Sequence, residues 1–180
     1  MEFPPLELAE LGCRICILGP SNSGKSTLAA AIGRRLDLNV VHLDRLYHVP
    51  ETNWIVRPEE QFLALHDQAI AGECWVIEGN YSVCLPQRLV RATGLILLDI
   101  STQTSLGRYL RRTLLEDQRV GALQGGQDSV KWGMIRHILV TTPATRKRYS
   151  QMFSELSLPK VKLASMGRMK QAMRDWGLES

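Results

Sequence analysis

The segment that most constrains the fold of this 180-residue chain is a glycine-bearing loop between an apolar run, 15–18, and an alanine-rich run that begins at Leu28. The loop matches G-x-x-x-x-G-K-[ST] and consists of Gly19, Pro20, Ser21, Asn22, Ser23, Gly24, Lys25, Ser26 and Thr27. Its glycines let backbone N–H groups curl around phosphate oxygens, and a helix starting near Gly24 directs its positive dipole end at them. The pattern predicts a strand, a phosphate-binding P-loop and a helix. The alternative is a glycine-rich turn with an exposed lysine.

The loop also carries the side chains that a nucleotide and its metal ion require. We expect Lys25 to reach the β- and γ-phosphates of ATP and the Ser26 hydroxyl to bind Mg²⁺. Such a site needs a further carboxylate beside the loop. Glu78 and Asp99 both follow apolar runs, and the residues alone leave the choice between them open.

Length and charge favour one domain that binds small anions. The chain has the length of a single domain, 1–180, and 22 Lys and Arg against 18 Asp and Glu give a net charge of +4. That mild excess lacks the dense basic block of a nucleic-acid-binding tail. Residues 1–11 contain three glutamates, and no apolar run approaches the roughly 20 residues needed to span a bilayer. We therefore expect a cytoplasmic protein with no membrane partner.

The rest of the chain alternates apolar strands with helices. The strands are predicted at 15–18, 40–44, 75–79, 94–100 and 160–163, and the helices at 26–36, 58–72, around Arg88, from 101, within 129–156 and at 166–176. This alternation predicts an α/β fold with a parallel sheet covered on both faces and ligands at the carboxyl ends of the strands. Asp44, Glu78 and Asp99 fall at such ends, as does the P-loop.

The four cysteines predict no metal site or disulfide. Cys13 and Cys16 form C-x-x-C, but residues three apart on a strand point to opposite faces. Cys74 and Cys84 have no partner motif, and we expect them to be packing residues.

The chain resembles P-loop kinases of the adenylate-kinase-like type, and within them the bacterial DNA topology modulation proteins. The resemblance covers about residues 14–149 and is carried by H-L-D-R-L-Y at 42–47, Trp54, W-V-I-E-G-N-Y-S at 75–82, Arg88-Leu89 and L-L-D at 97–99. It implies a P-loop NTPase fold with strand order 2-3-1-4-5, helices on both faces and a helical lid at about 108–128. It also implies a kinase that uses ATP and Mg²⁺. The acceptor is unassigned and would be a nucleoside, a nucleotide or another hydroxylated metabolite.

The resemblance implies roles for two of the three acids. The third strand of this fold lies beside the first, which favours Glu78 as the metal carboxylate. Asp99 would lie on the other side, where the alternative is a strand-end acid that accepts a backbone or Ser101 hydrogen bond. Asp44 resembles the acid of uridine-kinase-like and shikimate-kinase-like enzymes that contacts the acceptor hydroxyl; the alternative is a turn or cap aspartate. His42 stands where shikimate-kinase-like enzymes have a second acid, and we expect a packed strand residue there.

Three arginines follow the fourth strand at helical spacing: Arg108, Arg111 and Arg112. The resemblance implies a lid helix whose Arg108 and Arg112 act in catalysis by closing over the phosphates; the alternative is a solvated basic face. It also implies an acceptor side lined by Tyr47, Trp54, Arg57, Asn80, Tyr81 and Arg88; the alternative for each of them is a structural role.

Two other functions remain open at this stage. One is a nucleotide-gated regulatory ATPase that binds DNA or a macromolecular partner, which a basic run weakly favours: Arg136, Arg146, Lys147 and Arg148. The other is a plain ATPase with water as acceptor. The sequence contains no clear helix-turn-helix pattern, and +4 is a small charge for a DNA-binding protein. It does not determine the oligomeric state.

Overall fold

The computed structural model describes residues 6–52, 54–115, 132, 136, 139 and 142–178. Within them the chain forms a five-stranded parallel sheet in the order 2-3-1-4-5. Its strands are β1 Arg14–Leu18, β2 Asn39–His42, β3 Trp75–Glu78, β4 Gly94–Leu98 and β5 Lys160–Leu163. The predicted α/β P-loop fold and its strand order are confirmed.

Helices cover both faces of this sheet. After a short 3₁₀ helix, Leu8–Leu11, they are α1 Lys25–Leu36, α2 Leu43–Tyr47, α3 Glu59–Ala71, α4 Leu85–Arg91, α5 Thr102–Leu115, α6 Thr142–Glu155 and α7 Met166–Asp175. Pro143 lies in the first turn of α6, where the missing N–H of proline is not needed. Residues 116–128 of the predicted lid lie outside the described residues, so the structure describes only its beginning on α5.

The core has two halves because side chains alternate across the sheet. Ile15 and Ile17 pack with residues of α1 and α7 on one face, whereas Cys16 and Leu18 pack with residues of α3, α4 and α6 on the other. Every residue of β3 and β4 is buried, which explains their unbroken apolar runs. Among the described residues, none of the helices combines the length and apolar character needed to cross a lipid bilayer.

The second strand ends earlier than the sequence predicts. It stops at His42, and Leu43 begins the short helix α2, so Asp44 lies in a helical turn and not on a strand. Leu43 is fully buried and packs against Gly79, where an added Cβ would lie 2.9 Å from the Leu43 Cβ. This tertiary contact turns the chain out of the sheet and leaves Asp44 exposed.

Asp99 fastens the end of β4 to two neighbouring elements. Its Oδ1 accepts a hydrogen bond from Arg146 Nε of α6 at 2.7 Å, and its Oδ2 lies 3.1 Å from Lys162 Nζ of β5. Burial alone would raise the pKa of Asp99, but the hydrogen bonds and charges of these two cations lower it. Asp99 is thus a strand-end acid, with cationic partners in place of Ser101. The same contact occupies Arg146, one of the basic residues considered for nucleic-acid binding.

We expect Asp99→Asn to lower the free energy of unfolding by about 1 kcal/mol at pH 7, because both cations are partly exposed and solvent weakens their attraction. Since the folded-state pKa lies below the usual aspartate value, this stabilisation is present above about pH 4 and is lost as the pH falls through the folded pKa. Urea denaturation at several pH values measures the difference.

The matched control is Asp175→Asn on α7, an exposed acid that accepts a hydrogen bond from Gln171. The amide keeps that acceptor, so this variant should unfold like the parent. An Asp99→Asn effect that persists unchanged at acidic pH would contradict the ion-pair account.

Candidate active site

The P-loop lies between β1 and α1 at the carboxyl edge of the sheet. Gly19 has a φ of 152°, and a Cβ there would lie 2.7 Å from the Leu98 carbonyl oxygen. Gly24 has a φ of 96° immediately before the first helical residue, Lys25. A side chain at Gly19 would collide with backbone, and one at Gly24 would be strained, so the two glycines are steric requirements of the loop.

Asn80, in the loop after β3, holds the start of the P-loop. Its Oδ1 accepts a hydrogen bond from Gly19 N at 3.1 Å, and its Nδ2 donates to Gly19 O at 2.9 Å. The Tyr149 hydroxyl of α6 in turn donates to Asn80 O at 3.1 Å. The sequence predicts that Asn80 lines the acceptor side of the site. Its side chain is instead hydrogen-bonded to Gly19 of the P-loop, on the nucleotide side.

Lys25 lies across the P-loop. Its ammonium donates to the Pro20 carbonyl oxygen at 2.9 Å, and the side chain is half-buried. This contact holds the positive charge against the backbone of the loop. The arrangement suits the phosphate-binding role predicted for Lys25.

Glu78, at the end of β3, is bonded to the residue that follows Lys25. Its Oε1 accepts a hydrogen bond from the Ser26 hydroxyl at 3.0 Å and lies 2.9 Å from His42 Nδ1. Burial acts to raise the pKa of Glu78, but the His42 hydrogen bond and the charge of Lys25 outweigh it, so the pKa lies below its usual value. The structure brings the two predicted metal residues together around an ionised carboxylate.

His42 is packed in the strand, as the sequence predicts, but it also has a specific partner. It is 8% exposed, and the β2–β3 register sets it directly beside Glu78. The sequence contained one signal of this contact: both residues lie near the carboxyl ends of predicted strands. Such a signal predicts a contact only when the strand order is known, because only neighbouring strands bring their ends together.

Asp44 projects from α2 with one strong side-chain contact. The Tyr81 hydroxyl donates to its Oδ1 at 2.6 Å. Burial and the Asp44 carboxylate both raise the pKa of Tyr81, so the phenol stays protonated and remains a donor. Sequence reasoning named both residues but missed this pairing.

Aromatic rings cluster beside this carboxylate. We call the cluster the aromatic wall, and its members are Tyr47, His48, Trp54, Phe62 and Tyr81. Tyr47 contacts Tyr81 at a centroid distance of 4.7 Å and Phe62 at 5.2 Å. Ring pairs in these edge-to-face and tilted arrangements stabilise each other, so the rings support one another in the wall.

The two arginines expected on the acceptor side are bonded to backbone. Arg57 donates from Nε to Leu46 O at 2.9 Å and from Nη2 to His48 O at 3.3 Å. Arg88 is fully buried and donates from Nη2 to Gly79 O at 3.1 Å. Both guanidinium groups hold loops of the site in place.

Arg108 reaches the P-loop from α5. Its Nε donates to Asn22 O at 2.8 Å, although most of the side chain is exposed. Arg111 is exposed on the same helix. Arg112 also lies on α5, and its side chain is outside the described residues. Of the two arginines predicted to be catalytic, Arg108 contacts the loop.

Comparison with solved structures identifies proteins with the same fold. A gluconokinase from Sinorhizobium meliloti 1021 is 16% identical, with a TM-score of 0.56, and the match covers 93% of each chain. A shikimate kinase from Bacteroides thetaiotaomicron is 18% identical, with a TM-score of 0.51, and the match covers 90% of this chain and 94% of that one.

No protein-family model matches the chain, and no curated protein does. The resemblance to DNA topology modulation proteins therefore stays a prediction. The similar structures and the strand order together establish an α/β P-loop fold.

Proposed function

We propose that this protein is a small-molecule kinase that transfers the γ-phosphoryl group of ATP to a hydroxyl group in a Mg²⁺-dependent reaction. The observation that carries the proposal is that three kinds of group meet at one sheet edge. The P-loop follows β1, the Ser26–Glu78 pair joins that loop to β3, and Asp44 follows β2, the neighbour of β3. The gluconokinase and the shikimate kinase with this fold support the same class of reaction.

The nucleotide half of the site is built from backbone and cations. The loop N–H groups and Lys25 would hold the β- and γ-phosphates, and Arg108 would add a cation at the loop rim. Preorganised donors of this kind stabilise the charge that develops during phosphoryl transfer.

The residues beside the loop fit Mg²⁺ because they offer hard oxygen donors. The Ser26 hydroxyl and the Glu78 carboxylate lie 3.0 Å apart, and Glu78 is ionised. Ser26 would bind the ion, with Glu78 holding it directly or through water. A bound Mg²⁺ neutralises charge on the phosphates; the protein's part is to keep these two oxygens in position.

The acceptor half of the site supports a hydroxyl acceptor over a phosphate acceptor. Asp44 is exposed, and Tyr81 fixes its orientation. The acceptor hydroxyl would give its proton to the free oxygen of Asp44 as its oxygen bonds to the γ-phosphorus and the bond to ADP breaks. Of the two arginines that a phosphate acceptor would need, Arg57 donates to two backbone carbonyl oxygens and Arg88 is fully buried.

ADP release from ATP, measured with a panel of nucleosides, nucleoside monophosphates, sugars, sugar acids and cyclic hydroxy acids, tests the proposal. At least one hydroxylated compound should raise the rate well above the rate with water alone and should appear phosphorylated by mass spectrometry. Lys25→Ala is the control for contaminating activity, with an expected loss of about 10²–10³-fold. Equal ADP release with every compound would identify an ATPase and reject the kinase.

We expect Glu78→Gln to raise the Mg²⁺ concentration required for half-maximal rate by roughly tenfold or more, because the amide retains the size but loses the charge beside Ser26. Mg²⁺ titrations at saturating ATP measure it. Asp99→Asn is the matched control, since its carboxylate pairs with Arg146 and Lys162 instead. If the control shifts the Mg²⁺ requirement and Glu78→Gln does not, the metal carboxylate is misassigned.

We expect Asp44→Asn to lower kcat by about 10²–10⁴-fold with KM for ATP nearly unchanged, because it removes the base and leaves the loop intact. Tyr81→Phe should give a smaller loss, about tenfold, because the carboxylate loses the donor that orients it. Asp37→Asn, an exposed aspartate in a left-handed conformation that asparagine accepts, is the control. Parental turnover in Asp44→Asn would favour an acceptor that needs no base.

We expect Arg108→Lys to lower kcat/KM for ATP by about tenfold without changing the unfolding free energy, because lysine keeps the charge and loses the planar guanidinium. Arg111→Lys, on the same helix and exposed, should behave like the parent. Steady-state kinetics and urea denaturation of both variants separate the two effects. Equal kinetics for the two variants would mean that Arg108 belongs to a solvated basic face and has no role in catalysis.

A further inference from the structure

A pair of thiols lies at the end of the sheet opposite the P-loop. Cys13 immediately precedes β1 and Cys74 immediately precedes β3, and these strands pair in parallel with Arg14 beside Trp75. One residue back along this register, the two cysteines are neighbours. Trp75 N donates to Cys13 O at 2.7 Å as part of the Arg14–Trp75 pairing, so the backbone at Cys13 is held against the start of β3.

The side chains are close as well. The interaction of the Cys74 thiol with the Cys13 thiol is the largest cause of a raised pKa at Cys74. The Cys13 thiol also lies 3.4 Å from the Glu73 carbonyl oxygen, to which it donates. Cys74 is exposed and Cys13 is half-buried, so small molecules can reach the pair.

The spacing of neighbouring strands suits a disulfide. Adjacent strands lie about 4.7–4.9 Å apart, and the Cα atoms of a disulfide are usually about 4.4–6.8 Å apart. Residues in register on parallel strands also point to the same face. The sequence contains no partner motif for Cys74 and predicts a packing residue; that prediction was wrong, because Cys74 is exposed and the β1–β3 register brings it beside Cys13.

The other two cysteines lack this access. Cys16 and Cys84 are buried in the core on the α3 face of the sheet, and burial raises the pKa of Cys16 to about 12. An oxidant must reach a thiol to react with it, so burial protects these two residues, whereas Cys74 is exposed. They provide internal controls for any reaction of the exposed pair.

We propose that Cys13 and Cys74 are a redox-active pair that forms a reversible disulfide with a small-molecule disulfide as oxidant. The Cys74 thiol loses its proton and attacks one sulfur of the oxidant as a thiolate, and the sulfur that leaves takes up a proton. The Cys13 sulfur then loses its proton and attacks Cys74, releasing a second small thiol. The protein loses two electrons and two protons, and one small disulfide becomes two thiols.

Such a bond would link β1, which leads into the P-loop, to β3, which ends at Glu78. It would join chain segments about 60 residues apart, and linking segments this distant restricts the unfolded chain strongly. Because β1 and β3 are already paired, the bond would join strands that are neighbours before it forms. Exposed disulfides are readily reduced, so a reducing agent would break this bond again.

The test treats the full-length protein with oxidised glutathione or with dithiothreitol, alkylates free thiols and maps the peptides. Trypsin separates Cys13 from Cys16 at Arg14, and chymotrypsin separates Cys74 from Cys84 at Trp75 or Tyr81. We expect a Cys13–Cys74 cross-linked pair in the oxidised sample, its loss after dithiothreitol, and alkylated Cys16 and Cys84 after unfolding in both. A stable glutathione adduct on Cys74, or a Cys16–Cys84 cross-link, would overturn the proposal.

Thermal unfolding gives a second readout that does not depend on activity. The oxidised parent should melt on the order of ten degrees above the reduced parent, whereas Cys13→Ser and Cys74→Ser should show no such difference. A lower melting temperature in the oxidised parent would mean that the bond forms only in a distorted chain, which would reject the geometry proposed here.

Discussion

The buried carboxylate of Glu78 is the interaction on which the proposed site depends. It joins the ends of two strands and the start of α1, because Ser26 donates to it and His42 lies beside it. A buried charge is costly unless hydrogen bonds and opposite charges compensate it. Here Ser26, His42 and the charge of Lys25 provide that compensation. The same contacts that make the carboxylate tolerable in the core also fix its distance from the P-loop.

The loop after β3 connects the two halves of the site. Asn80 is bonded to Gly19 on the nucleotide side, and the next residue, Tyr81, donates to Asp44 on the acceptor side. Beneath this loop Arg88 is fully buried and donates to Gly79 O, while its Nε and Nη1 have no acceptor among the described residues. Substituting Arg88 would therefore disturb the loop itself. Loss of activity in such a variant would not identify a phosphate-binding residue.

Charge is distributed unevenly over the site in a way that fits the proposed reaction. Cations lie at the P-loop, where the phosphates of ATP would bind, and an exposed carboxylate lies beside aromatic rings, where the acceptor would bind. Asp99, the other strand-end acid, is neutralised by Arg146 and Lys162 and stabilises the sheet instead. β3 and β4 are each followed or ended by an acid, and these two acids have different neighbours, so the role proposed for Glu78 does not extend to Asp99.

The sequence by itself determined the P-loop, the alternation of strands and helices, and the residue types at the ends of the strands, because these depend on local spacing and apolar periodicity. Resemblance to known kinases supplied the strand order, which the structure confirms. The end of β2 was wrong by two residues because a distant contact, Leu43 against Gly79, turns the chain there. No local pattern contains that information.

Only the tertiary structure decided which residues are partners. His42 meets Glu78, Tyr81 meets Asp44, and Cys13 meets Cys74 across 36, 37 and 61 positions of sequence. Each pairing follows from parallel strands in register or from the loops that follow them. Register is set by the packing of whole strands and helices against each other, so it emerges only when the complete sheet has formed.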